Sequence, residues 1–139
     1  MKKIFLLMMT LLLSACFEKP PQPMTYAYLM QHPDELAKQY KQCETQKTAN
    51  CELVEKAFFD FSNLFQDERQ NPEGFGQRIL EAELASQMAE DVLKMAQEAY
   101  TKQPTEEAQQ VLARAEKAYQ EKRDAVTYML VVVGMGSPE

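Results

Sequence analysis

The chain has 139 residues, 15 basic and 21 acidic side chains, a net charge of −6 and 45 % hydrophobic residues. This balance excludes a nucleic-acid binder by charge, and the length supports one hydrophobic core but not two. Two cysteines and one histidine beyond the N-terminal segment fall short of the four ligands of a structural zinc site, and no Cys-x-x-Cys-His run is present for haem attachment.

The first fifteen residues carry Lys2 and Lys3, then an apolar run over residues 4–13 interrupted by Thr10, then Ser14 and Ala15. A charged start, an apolar core and small residues before a cleavage point make a signal peptide. The cleavage point, Leu13-Ser14-Ala15-Cys16, resembles the lipobox of bacterial lipoproteins. By that resemblance Cys16 becomes the acylated N-terminus, whereas an ordinary signal peptide would leave it a chance cysteine. Three acyl chains on one residue anchor a protein stably, where a single chain does not. Phe17 follows in place of Asp, which by the lipoprotein sorting rule favours the outer over the inner membrane.

Removal of residues 1–15 takes away two lysines and leaves 13 basic against 21 acidic residues, a net charge of −8. No later segment approaches the roughly 18 apolar residues needed to cross a bilayer, so the lipid is the expected anchor. Residues 16–24 hold three prolines, which favour extended backbone and a short, stiff tether.

Residues 25–139 are expected to form a single helical periplasmic domain. Residues 25–31 allow a helical turn that Pro33 breaks at His32. A helix then starts at His32-Pro33-Asp34-Glu35, with proline and acidic residues suited to a first turn, and Leu36, Tyr40 and Cys43 share one face. Residues 44–50 are polar and aperiodic, hence a loop. Asn50 is placed to cap a second helix whose apolar face is Cys51, Val54, Phe58, Phe61 and Phe65. In an oxidising compartment Cys43 and Cys51 form a disulfide more readily than two free thiols, closing a hairpin over residues 25–70.

Residues 70–74 (QNPEG) break this helix. A long helix over residues 75–103 carries Leu84, Met88, Val92, Met95 and Ala99 on one face, which the spacing assigns to the core. Pro104 stops it, Thr105 caps the next, and residues 105–134 carry Ala108, Leu112, Ala115, Tyr119, Val126 and Leu130, interrupted by Arg123. Val131-Val132-Val133 fits a last helical turn better than an unpartnered strand. The fold expected is all-α: signal peptide and proline-rich tether, a disulfide-closed helical hairpin, then two longer antiparallel helices.

None of the residues that could carry chemistry calls for an enzyme. His32, the only histidine, reads as a helix-start residue, since a general base needs an oriented partner. Gly74-Phe75-Gly76 lacks the third glycine of a dinucleotide loop, because position 79 is Ile, and no P-loop lysine follows. The carboxylates read as solvated helix faces, and Met88 and Met95 as core rather than copper ligands. No catalytic residue, metal, cofactor, small-molecule substrate or nucleic-acid partner is expected.

A lipobox, a short tether, an aromatic and leucine before His32-Pro33-Asp34-Glu35, then Cys43, a polar loop and Asn50-Cys51 resemble the entry exclusion lipoproteins of conjugative elements. That group is EexN-like, with TrbK-like proteins related, and the resemblance is carried by about residues 1–60. It implies a non-enzymatic lipoprotein of the recipient envelope that blocks redundant transfer by binding a component of a type IV secretion system. The long amphipathic helices favour a different class, a structural or assembly lipoprotein of such a complex.

Overall fold

A computed structural model describes residues 24–136 of the chain. The expected signal peptide, Cys16 and all but the last tether residue lie outside the described residues. That last residue, Met24, packs against the core and so belongs to the domain.

Among the described residues the regular structure is all helical: α1 (Tyr26–Gln31), α2 (Pro33–Thr45), α3 (Cys51–Gln70), α4 (Pro72–Lys102) and α5 (Glu106–Gly136). The turn expected before His32 is a helix in its own right, begun by Thr25, whose hydroxyl accepts the Tyr28 amide. His32 serves both neighbours. Its amide donates to Leu29 O and ends α1, while its carbonyl accepts the Leu36 amide and begins α2. Pro33 needs no amide partner at that position, and Asp34 and Glu35 lie in the first turn where the helix end is positive.

Asn50 does not cap α3 through its side chain; its backbone is helical, and only its carbonyl serves, accepting the Val54 amide. Residues 70–74 do not make the long break their composition indicates. Asn71 alone separates α3 from α4, because its amide closes on Asp67 O while its side chain accepts the Gly74 amide at 3.0 Å. Pro72 then stands as the first residue of α4. At the other end, Thr105 accepts the Ala108 amide and starts α5 as expected, and the valine run stays helical.

The core is a head built where the three shorter helices meet the bases of the two long ones. Leu29 and Met30 of α1, Leu36 of α2, Val54, Ala57 and Phe61 of α3, Phe75 of α4 and Val132 of α5 are its buried apolar members. α3 is central and touches every other helix, whereas α2 touches only α1 and α3. Tyr40 stacks on Phe58 with ring centroids 3.8 Å apart and seals the outer side. Arg78 pairs with Asp67 and lies over the Phe75 ring, which fixes the corner between α3 and α4.

Beyond the head, α4 and α5 continue as an antiparallel hairpin and pack only on each other. Their meeting line uses small residues: Ala96 and Ala115 are buried, and Ala82, Ala89, Leu93 and Leu112 are partly so. The stripe assigned to the core, Leu84, Met88, Val92, Met95 and Ala99, is exposed instead, and Met88 and Met95 are surface residues. Two helices cover only the faces they turn to each other, and no third helix reaches this far. Leu130 is likewise exposed, while Ala108, Tyr119 and Val126 are half-buried.

Candidate functional site

The bridge expected between Cys43 and Cys51 closes one end of the head, and the structure gives that end a definite shape. The helix α2 ends at Thr45, its last turn closed by the Gln46 amide on Gln42 O, and the chain re-enters a helix at Cys51. Cys43 and Cys51 are joined by a disulfide with their Cα atoms 5.6 Å apart. Both are buried, while residues 44–50 are all exposed. The Thr48 amide and hydroxyl both donate to Cys51 Sγ at 3.3 Å, and Lys47 pairs with Glu55 on α3. The loop is therefore polar, accessible and held at three points.

His32 lies exposed at the opposite end of α2. Its Nδ1 donates to the Tyr28 carbonyl at 2.7 Å and its ring stacks on Tyr28 with centroids 4.1 Å apart. The ring is thus committed to closing α1. Glu35 holds Gln39 and Lys38, and these hydrogen bonds, Gln39 first, keep its carboxyl below the ordinary glutamate value despite some desolvation. The four residues of the His-Pro-Asp-Glu run build a helix junction rather than a pocket.

A polar cluster that sequence reasoning missed joins α1, α3 and α5. Tyr26 donates to Asp60 Oδ2 at 2.6 Å, and Lys56 donates to the same oxygen while its Nζ lies 4.6 Å from the Tyr26 ring centroid. Tyr128 meets Tyr26 edge to face at 6.0 Å. Burial, then the bond to Asp60, raises the Tyr26 pKa well above that of a free phenol; burial and the nearby Asp124 push Tyr128 up to about 12. Asp60 is lowered by its bonds from Lys56 and Tyr26. A phenol held protonated on a carboxylate held ionised is a stable hydrogen bond rather than an acid–base pair poised near neutrality. The i,i+4 spacing of Lys56 and Asp60 was a visible signal; Tyr26 had none, because nothing local ties it to residue 60.

No family model matches this chain, and no curated protein or solved structure proved similar to it. The site must therefore be read from its own geometry. Two surfaces stand out: the polar loop over the Cys43–Cys51 bridge, and the apolar stripe of α4. Among the described residues no helix is long and apolar enough to cross a membrane, and the surface depressions lie in grooves between or along helices, such as that of Thr25, Ala27, Glu121 and Ala125.

Proposed function

We propose that this protein is a lipid-anchored, non-enzymatic entry exclusion factor of a recipient cell envelope. It acts by binding a component of a type IV secretion system through its head and so blocks redundant conjugative transfer. The observation that carries this reading is the order of lipobox, His32-Pro33-Asp34-Glu35 and the spaced pair Cys43 and Cys51. In support, the helix begun by that run ends at the bridge, and the polar loop over the buried bridge is exposed. Cys16 is the lipidation site and faces the protein to the periplasm, with Phe17 directing it to the outer membrane.

Conjugation into recipients making the full-length protein should fall for the cognate element, and the Cys16→Ala variant should lose acylation and exclusion together. Unchanged transfer, with the acylated protein present in the envelope, overturns the proposal. The exposed stripe on a long hairpin favours a second reading, a structural or assembly lipoprotein of the same kind of complex. Deletion in the donor separates the two, because a machine part is needed for donation and an exclusion factor is not.

A further inference from the structure

The described residues hold two kinds of sulfur. Cys43 and Cys51 are joined in the bridge and buried, so neither offers a thiol to an oxidant. The thioethers divide by their place in the fold. Met30 is 1 % exposed in the head, and Met24 and Met129 pack against the same core. Met88 and Met95 are instead 64 % and 62 % exposed, on the part of α4 that runs beyond the head. Met135, 50 % exposed, lies on a different helix, near the end of α5.

Met88 and Met95 are one heptad apart, which sets them about 20° apart round the helix and about 10 Å apart along it, on one line of the surface. Leu84 and Val92 stand one turn to either side of Met88, each about 40° from it in opposite senses, so the two thioethers run along the middle of the apolar stripe. The face that α4 turns to α5, with Ala82, Ala89 and Ala96, lies about 100° away. An oxygen added to either sulfur therefore enters neither the α4–α5 contact nor the head. Glu81, one heptad before Met88, and Asp91 are exposed within the same sector. Their carboxylates keep the stripe hydrated, which suits a small polar oxidant.

We propose that Met88 and Met95 form a surface oxidation site that takes oxygen from a peroxide reversibly while the fold stays intact. Each thioether sulfur gives two electrons to hydrogen peroxide: an S–O bond forms, the O–O bond breaks, and the second oxygen leaves as water. Reversal needs a thiol-dependent methionine sulfoxide reductase, in which two thiols become a disulfide and the sulfoxide oxygen leaves as water. The sulfoxide is polar where the thioether was apolar, so the stripe loses apolar character along its midline. The same oxygen on Met30 would enter the core without a hydrogen-bond partner and disrupt it. This inference is independent of the conjugation reading.

The test uses the full-length protein, with sulfoxide located by mass spectrometry of its peptides. In the protein purified in detergent, Met88 and Met95 should be oxidised by hydrogen peroxide within about threefold of their rates in denaturant, and Met30 at least about tenfold more slowly than its own denatured rate. In intact cells challenged with peroxide both should carry sulfoxide, and the two stereospecific sulfoxide reductases with a dithiol should return them to methionine. After equal peroxide treatment, the melting temperature of the unsubstituted protein should match that of the Met88→Leu, Met95→Leu double variant within about 2 °C. That comparison cancels oxidation at the other methionines. Protection of Met88 and Met95 in the cell, loss of the rate difference from Met30, failure of the reductases to reverse the change, or a larger difference in melting temperature would each overturn the proposal.

Discussion

Gly74 and Asn71 have to be considered together. A Cβ on Gly74 would stand 2.3 Å from Asn71 Nδ2, so the side chain that caps α4 fits only because residue 74 has none. Asn71→Ala should cost about 1 kcal/mol by loss of the cap. Gly74→Ala should show almost no net change, its gain in helix propensity cancelled by displacement of the Asn71 side chain. In the Asn71→Ala background the same change should stabilise by about 0.5–1 kcal/mol, and chemical denaturation of the four proteins measures that coupling.

Tyr26 supplies a pH prediction on the same scale. Its pKa is raised in the fold, so its contribution is fully present below the unfolded value near 10 and is lost as pH climbs toward the folded value. Tyr128, raised to about 12, adds to the loss over the same window. Melting temperature should therefore fall from about pH 10 upward, and less steeply in Tyr26→Phe. Asp60 has the opposite sign: lowered in the fold, it stabilises above the unfolded value near 3.9 and ceases to as pH falls through its folded value. Of this cluster only the Lys56–Asp60 spacing was legible locally, since 34 residues separate Tyr26 from Asp60 and only the crossing of α1 and α3 joins them.

On the scale of elements, the disulfide and the two long helices behave differently. The bridge between Cys43 and Cys51 closes a loop of sequence separation eight, which in the chain-entropy model stabilises by roughly 2.5 kcal/mol. Cys43→Ser should lower the melting temperature by about 10 °C. Membrane attachment should be unchanged, since the bridge lies far along the chain from the expected anchor, and fractionation of the envelope checks this. The long helices give a contrast between two apolar residues of α4. Phe75 is 1 % exposed at the base and Leu84 is 59 % exposed beyond it. Phe75→Ala should cost about 3–5 kcal/mol, and Leu84→Ala less than about 0.5 kcal/mol.

Helix boundaries were legible where a residue acts on its own neighbours. Pro33 at a first turn, Thr105 as a cap and Pro104 as a stop all stand where their chemistry places them. The 70–74 run does end α3, but the Asn50 cap and the length of that break were misread because a cap depends on how the chain turns. Asn50 has helical backbone and so cannot fold its side chain back, whereas Asn71 is free to do so and turns an apparent break into a single residue.

At the scale of the whole molecule, stability is distributed unevenly. The head combines a shared apolar core, the bridge and the Tyr26–Asp60 bond, while the outer halves of α4 and α5 hold only each other. Native-state hydrogen exchange should find amides around residues 54–61 protected close to the global limit. Those near residues 98–112 should open at markedly lower free energy, a difference that equal protection along α4 and α5 would contradict.

The sequence by itself determined that the chain is helical, where most helices begin and end, and that Cys43 and Cys51 flank a turn. Those properties follow from propensity, capping and spacing, which act within a few residues. Only the tertiary structure decided which apolar faces are buried. The stripe of Leu84, Met88, Val92 and Met95 has the periodicity of a core face, as does Val54, Ala57 and Phe61, yet one is exposed and the other buried. Periodicity tells that a helix has an apolar side; burial needs another element to arrive there, and α3 stays at the head while α4 runs on.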